Sequence, residues 1–133
     1  MVELALALPL LVFGVVGGAD LARAYALQIA VENGARAGAE AYAITSVPTL
    51  GQAQTAVKEE INRTPTANAT DSMITLTTTL ADGTTACPPG TPTIATPCYV
   101  SVRVQYTWQT LIAWPIIPNS GTFDRTTTIR MFY

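Results

Sequence analysis

Residues able to do chemistry are few in this chain. Among 133 residues there is no histidine and a single lysine, Lys58. The commonest general base and the commonest metal ligand are therefore missing. The sequence has no Gly-rich phosphate loop and no Ser-His-Asp set, and its acidic residues do not pair inside a recognisable motif. Tyr25, Tyr42, Trp108 and Trp114 can be drawn as an aromatic path for electrons. Core packing explains them more simply, and there is no Cys-x-x-Cys-His haem site. The expectation is a chain that is not an enzyme and carries no cofactor and no metal.

What remains is the chemistry of linkage and surface. Cys87 and Cys98 are the only cysteines, and they bracket the proline-rich segment PPGTPTIATP. A metal site needs more ligands than this, and a redox motif needs Cys-x-x-Cys. A disulfide between them is the simplest reading, contributing up to roughly 3 kcal/mol by chain entropy. It places the chain in an oxidising location outside the cytoplasm. The 21 threonines, mostly after residue 44, suit an exposed surface. Asn68-Ala69-Thr70 and Asn62-Arg63-Thr64 both match the N-glycosylation pattern, and Pro65 makes the second the poorer acceptor, leaving Asn68 as the candidate.

Charge excludes another class. Seven basic and nine acidic residues give a net charge of -2, and charged residues make up only 12% of the chain. No basic stripe exists to neutralise phosphates, so nucleic acid is not an expected partner. An apolar share of 49% argues against disorder, and the length suits one domain.

These residues must be positioned by elements, and the first is long. Leu4 to Ala19 is a 16-residue run without a charge, between Glu3 and Asp20. As a helix it spans roughly 24 Å, slightly short for a bilayer that takes about 20 apolar residues. A secretory signal peptide would have a basic n-region and a following turn, and neither is present. An ordinary membrane anchor fits, and so does a helix that lies first in a membrane and later in a protein core. The helical pattern runs on, with Leu27, Val31, Ala35, Gly38 and Tyr42 at spacings of three and four, until Pro48 ends it. Glu32 and Arg36 form an i,i+4 pair in the better orientation, and Arg36 and Glu40 the reverse pair. A helix of roughly 45 residues would be near 65 Å long and must project from its own domain.

Along this helix Gly14, Gly18, Ala22, Ala26, Ala30, Gly34 and Gly38 recur at intervals of four. Small residues at this spacing allow another helix to approach closely. The track winds around the helix and suits several crossing neighbours, although Ala and Gly are also simply abundant here. Pro9 and the Gly14, Gly17, Gly18 cluster are places where the helix could kink.

After Pro48 the pattern shortens. Thr49 and Gln52 have capping-box spacing, and Leu50, Ala53, Val57 and Ile61 give one apolar face of a second helix ending near Asn62 to Pro65. The period then becomes two. Ile74, Leu76 and Leu80 alternate with threonines in a strand of about eight residues. Val100 to Trp108 alternates in a second strand, and Phe123 to Tyr133 reads as a third. Between strands two and three, Leu111, Ile112, Trp114, Ile116 and Ile117 are too apolar for a bare solvent loop. They either fold over one end of the sheet or meet another subunit. The fold class is α+β: a long projecting N-terminal helix, a short helix, and a three-stranded antiparallel sheet packed on the C-terminal half of the long helix. Residues 1–47 form the helix and 48–133 an exposed head.

Glu3 carries the most information, because an acid at the head of an apolar helix is costly unless paired. With the Leu8-Pro9-Leu10 step, the apolar run and the stretch Asn33-Gly34-Ala35-Arg36-Ala37-Gly38-Ala39, the opening resembles the TadE-like family of tight-adherence pilus proteins, relatives of type IV pilins. The strand YVSVRVQYTW and the closing TTTIRMFY are also similar to that family. The resemblance implies a prepilin processed by a membrane peptidase, with an acid near the new N-terminus that pairs with a neighbouring subunit's N-terminal amine. Glu3 is the matching position, although pilin-like proteins usually carry the acid fifth in the mature chain.

The leading expectation is a structural subunit of an extracellular type IV-like filament. Before assembly it would sit in the inner (cytoplasmic) membrane, with a prepilin peptidase and the assembly machinery as partners. It would then form a homopolymer through Glu3, Gly14, Gly18, Ala22 and Ala26. The competing expectations are a minor pseudopilin that primes or caps a pilus built from another subunit, and a membrane-anchored binding domain that never polymerises.

Overall fold

A computed structural model describes residues 2–88, 92–114 and 118–132. Helix α1 (Val2–Ala43) runs unbroken through Pro9 and the glycine cluster, so neither ends the helix. Its 42 residues correspond to about 63 Å. Helix α2 (Leu50–Asn62) follows, then a short 3-10 turn (Asp71–Met73) and strands β1 (Ile74–Leu80), β2 (Cys98–Gln109) and β3 (Ser120–Arg130). The sheet is antiparallel in the order β1-β2-β3.

The capping box at α2 forms in both directions. Gln52 N–H donates to Thr49 Oγ1 at 3.3 Å, and Thr49 N–H donates to Gln52 Oε1 at 3.2 Å. A cap of this kind contributes about 1 kcal/mol, enough to fix where a 13-residue helix starts. Ala53, Val57 and Ile61 are its buried face, as the spacing predicts.

The core sits between three layers. Leu27, Val31, Ala35, Ala39 and Ala43 of α1 meet Val57 and Ile61 of α2 on one side. On the other they meet Val100, Val102, Val104 and Tyr106 of β2, with Ile74 of β1. Each such Val or Ile contributes roughly 1.5–3 kcal/mol by burial, so the C-terminal half of α1 belongs to the head's core. The small residues let the helices close in. A Cβ at Gly34 would lie 2.7 Å from Ile61 Cγ1, and one at Gly38 would collide with Val57 Cγ2.

Three details differ from the sequence expectation. The third strand begins at Ser120 rather than Phe123, because Gly121 pairs with Trp108 and leaves room for its indole. That strand ends at Arg130. Met131 N–H then donates to Cys98 O, and Phe132 N–H to Ala43 O, tying the C-terminus to the end of α1. Finally, Arg36 pairs with Glu40 at 2.8 Å, the reverse orientation, and its guanidinium is thereby committed away from Glu32.

Beyond β1 the chain makes a tight turn. Gly83 has φ +73°, and Asp82 accepts from Thr84 N–H and Thr85 N–H, both at 3.0 Å. Residues 85–87 return beside β1, where Cys87 N–H donates to Thr78 O. That return brings Cys87 to the first residue of β2, and Cys87 and Cys98 are joined in a disulfide with Cα atoms 5.9 Å apart.

Candidate functional site

The candidate site is the N-terminal half of α1, where the head stops covering it. From Glu3 to Ala19 no described residue is buried, and Leu6, Leu10 and Phe13 are 75%, 77% and 63% exposed. The first buried position is Asp20, at 5%. From there Ala24, Leu27, Ala30 and Val31 face the head in helical spacing. This is the one helix long and apolar enough to cross a membrane among the described residues.

Glu3 lies in the first turn of α1 and is exposed. Gly14 and Gly18 are exposed, and a Cβ at either would meet no atom within 4 Å. Ala22 and Ala26 are exposed as well. The small-residue track is therefore divided. Ala30, Gly34 and Gly38 are buried within the head, whereas Gly14, Gly18, Ala22 and Ala26 point away from it. The disulfide cysteines stand at the far end of the sheet and touch none of these. Asn68 is exposed, with its backbone N–H bound by Tyr106 Oη at 3.1 Å. The Asn62 side-chain oxygen already accepts from Ala69 N–H at 2.8 Å, a second reason that Asn68 is the freer of the two amides.

One functional arrangement is not evident from sequence spacing. The loop between β2 and β3 folds back onto α1 and closes over Asp20. Leu111 N–H donates to Asp20 Oδ1 at 3.0 Å, and the Trp114 indole N–H donates to Oδ2 at 3.2 Å. Arg23, one turn on, pairs with Asp20 Oδ1 at 3.3 Å and donates to Thr66 Oγ1 at 3.0 Å. Trp114 continues along the helix to lie 3.4 Å from a Cβ position on Gly17, its ring centroid 6.1 Å from that of Phe13. The described part of this loop thus lies against α1. Ile116 and Ile117 lie outside the described residues. The only sequence signal was a lone acid at the end of an apolar run and a tryptophan in an apolar loop, 94 residues apart.

Closing over Asp20 alters the reach of the apolar surface. With Asp20 and Arg23 engaged by the head, the exposed side continues as Leu21 and Tyr25, 70% and 66% exposed.

The outer face of the sheet and the turn after β1 each hold an organised carboxylate. Arg103 donates to Asp124 Oδ1 at 2.8 Å, and Gln105 to Oδ2 at 3.1 Å. The Arg103 hydrogen bonds, aided by Gln105, hold the Asp124 carboxyl down at about 2. The hydroxyl and backbone N–H of Thr85, with Thr84, do the same for Asp82, also at about 2.

Comparison with known proteins bears on the same segment. No curated protein and no solved structure matches the chain. The family model described as TadE-like protein matches residues 1–40, which are α1 almost to its end. The matched stretch takes in both the part of α1 that the fold leaves exposed and most of the part that it packs against the head.

Proposed function

We propose that this chain is a structural subunit of an extracellular Tad-type pilus, non-enzymatic, polymerising through the N-terminal half of α1. The observation that carries the reading is the exposure of the whole apolar run up to Asp20, on a helix whose other half buries one face in the head. Exposed apolar surface on this scale requires a covering, and the occupants are a bilayer before assembly and other copies of the helix after it. Gly14, Gly18, Ala22 and Ala26 allow the helices of those copies to approach closely. Glu3 enters that bundle as an acid matched by a neighbouring N-terminal amine, since burying it alone would cost several kcal/mol. A prepilin peptidase and the inner-membrane assembly machinery act on the chain beforehand.

The test is composition. Purified surface filaments should contain this chain as their most abundant protein, and deletion of its gene should remove them. A trace amount at filament tips, with the bulk made of another chain, would establish a priming or capping role. Absence from filaments altogether would leave a membrane-anchored binding domain.

A further inference from the structure

The loop between β2 and β3 does more than close over Asp20. We propose that its described limb, Thr110 to Trp114, is a second bilayer-inserting element, seating the head in the membrane interface before assembly. The inference rests on the membrane reading of the apolar run given above. The Trp114 indole N–H bonds to Asp20, its far ring edge packs beside Gly17, and its centroid lies 6.1 Å from that of Phe13, so this one side chain lies along α1 on the N-terminal side of Asp20. Any bilayer that takes in Phe13 must therefore also take in the Trp114 side chain beside it.

The residues suit that position. Leu111 and Ile112 are exposed, at 66% and 46%, with no covering element among the described residues. Leu21, the residue after Asp20 on α1, is exposed as well. Tryptophan and tyrosine concentrate at the boundary between hydrocarbon and headgroup. Between helix and loop, Phe13, Gly14, Gly17, Leu21 and Trp108 line an open groove of about 250 Å³, which an acyl chain can fill.

A loop at this depth is tolerated only if its backbone polar groups are satisfied by protein. Among the described residues, four of them are. Asn119 closes the loop from its other side, its side-chain oxygen accepting from Trp114 N–H and its side-chain N–H donating to Trp114 O at 3.2 Å. Thr110 N–H donates to Asn119 O at 2.9 Å. Leu111 N–H and the Trp114 indole N–H go to Asp20. These bonds leave the side chains of Leu111 and Ile112 exposed.

The two tryptophans make the test direct. The full chain is reconstituted in phosphatidylcholine vesicles whose acyl chains carry bromine, a contact quencher, near either the headgroup end or the methyl end. In Trp108→Phe, the remaining Trp114 emission should be quenched several-fold more by the headgroup-end bromine. The difference between wild type and Trp114→Phe gives the same quantity with Trp108 intact. Leu111→Ser with Ile112→Ser should reduce the quenching. A tryptophan placed by Leu8→Trp, with both native tryptophans changed to Phe, reports insertion of α1. Quenching of that reporter without quenching of Trp114 overturns the proposal. It would leave the loop facing water or, if Trp114 becomes shielded from aqueous quencher in filaments, another subunit. Quenching of neither overturns this proposal and the membrane reading of the apolar run together.

Discussion

The two halves of α1 use one sequence device for different ends. Small residues recur every fourth position from Gly14 to Gly38, yet the fold draws a line through them between Ala26 and Ala30. Past it, Gly34 and Gly38 let α2 sit against the helix backbone, with Val57 and Ile61 filling the space where a side chain would be. Before it, a Cβ at Gly14 or Gly18 would meet no atom of its own chain within 4 Å. The spacing specifies that something approaches closely; only the fold says whether the partner is intramolecular. The apolar residues divide the same way. Val31 is fully buried, whereas Val15 is 73% exposed.

That contrast is breakable by substitution. The largest effect should come from Gly38→Leu, which places a side chain against Val57 and the Ala53 carbonyl. Overpacking of this kind costs about 1–3 kcal/mol, more than the roughly 1 kcal/mol that Leu gains over Gly in helix propensity. Thermal unfolding followed by circular dichroism should show a clear drop in Tm. Gly18→Leu should leave the Tm of the head unchanged or slightly raised, while blocking or weakening assembly. Leu11→Ile, close to volume-conserving, should be tolerated in both measurements. If Gly18→Leu yields filaments of normal length, the exposed part of the track is compositional accident.

Smaller effects test the boundary and the head alone. Replacing both Cys87 and Cys98 with Ser should destabilise the head by about 2–3 kcal/mol, read as a lower denaturant midpoint, with α1 still inserting into membranes. Asp20→Asn puts an amide N–H₂ among donors that need an acceptor, a loss of about 1–3 kcal/mol. It should loosen the loop, raising hydrogen exchange at Leu111 without exposing Val102.

The smallest effect is acid sensitivity of the sheet. Asp124 is held at about 2, below its ordinary 3.8. A carboxylate depressed in the folded state contributes stability above its unfolded value and loses it as pH falls from about 4 to about 2. The pair is exposed, so the change should be slight. Asp124→Asn should flatten that part of the pH–Tm curve, and acid should leave the exposed half of α1 unaffected.

Much of this was legible in the chain. Period-two alternation located β1 and β2 because one face of the sheet is dry and the other wet. The Thr49–Gln52 spacing located the start of α2 because capping is a local device. The exposed half of α1 followed from length, since no domain of this size contains such a helix. The division of the small-residue track was not legible, because it depends on where α2 docks, and local spacing is identical on both sides. The burial of Asp20 was hidden for a similar reason. Read locally, it is a charge that ends an apolar run, and its partners arrive from a loop 91 to 94 residues away. The early start of β3 escaped notice because Gly121, a weak strand former, is required by the Trp108 ring on the neighbouring strand.

The central claim is that the exposed half of α1 forms the core of a polymer of this chain. A helical reconstruction of purified surface filaments by electron cryomicroscopy tests it most directly. The account predicts one copy of this chain per repeat, with the helix from Glu3 to Ala19 buried among the same segment of other copies. Gly14 and Gly18 should lie at the closest helix–helix approaches, with the sheet facing outward. Filaments whose core is built from another chain, or in which this segment remains exposed, would contradict it.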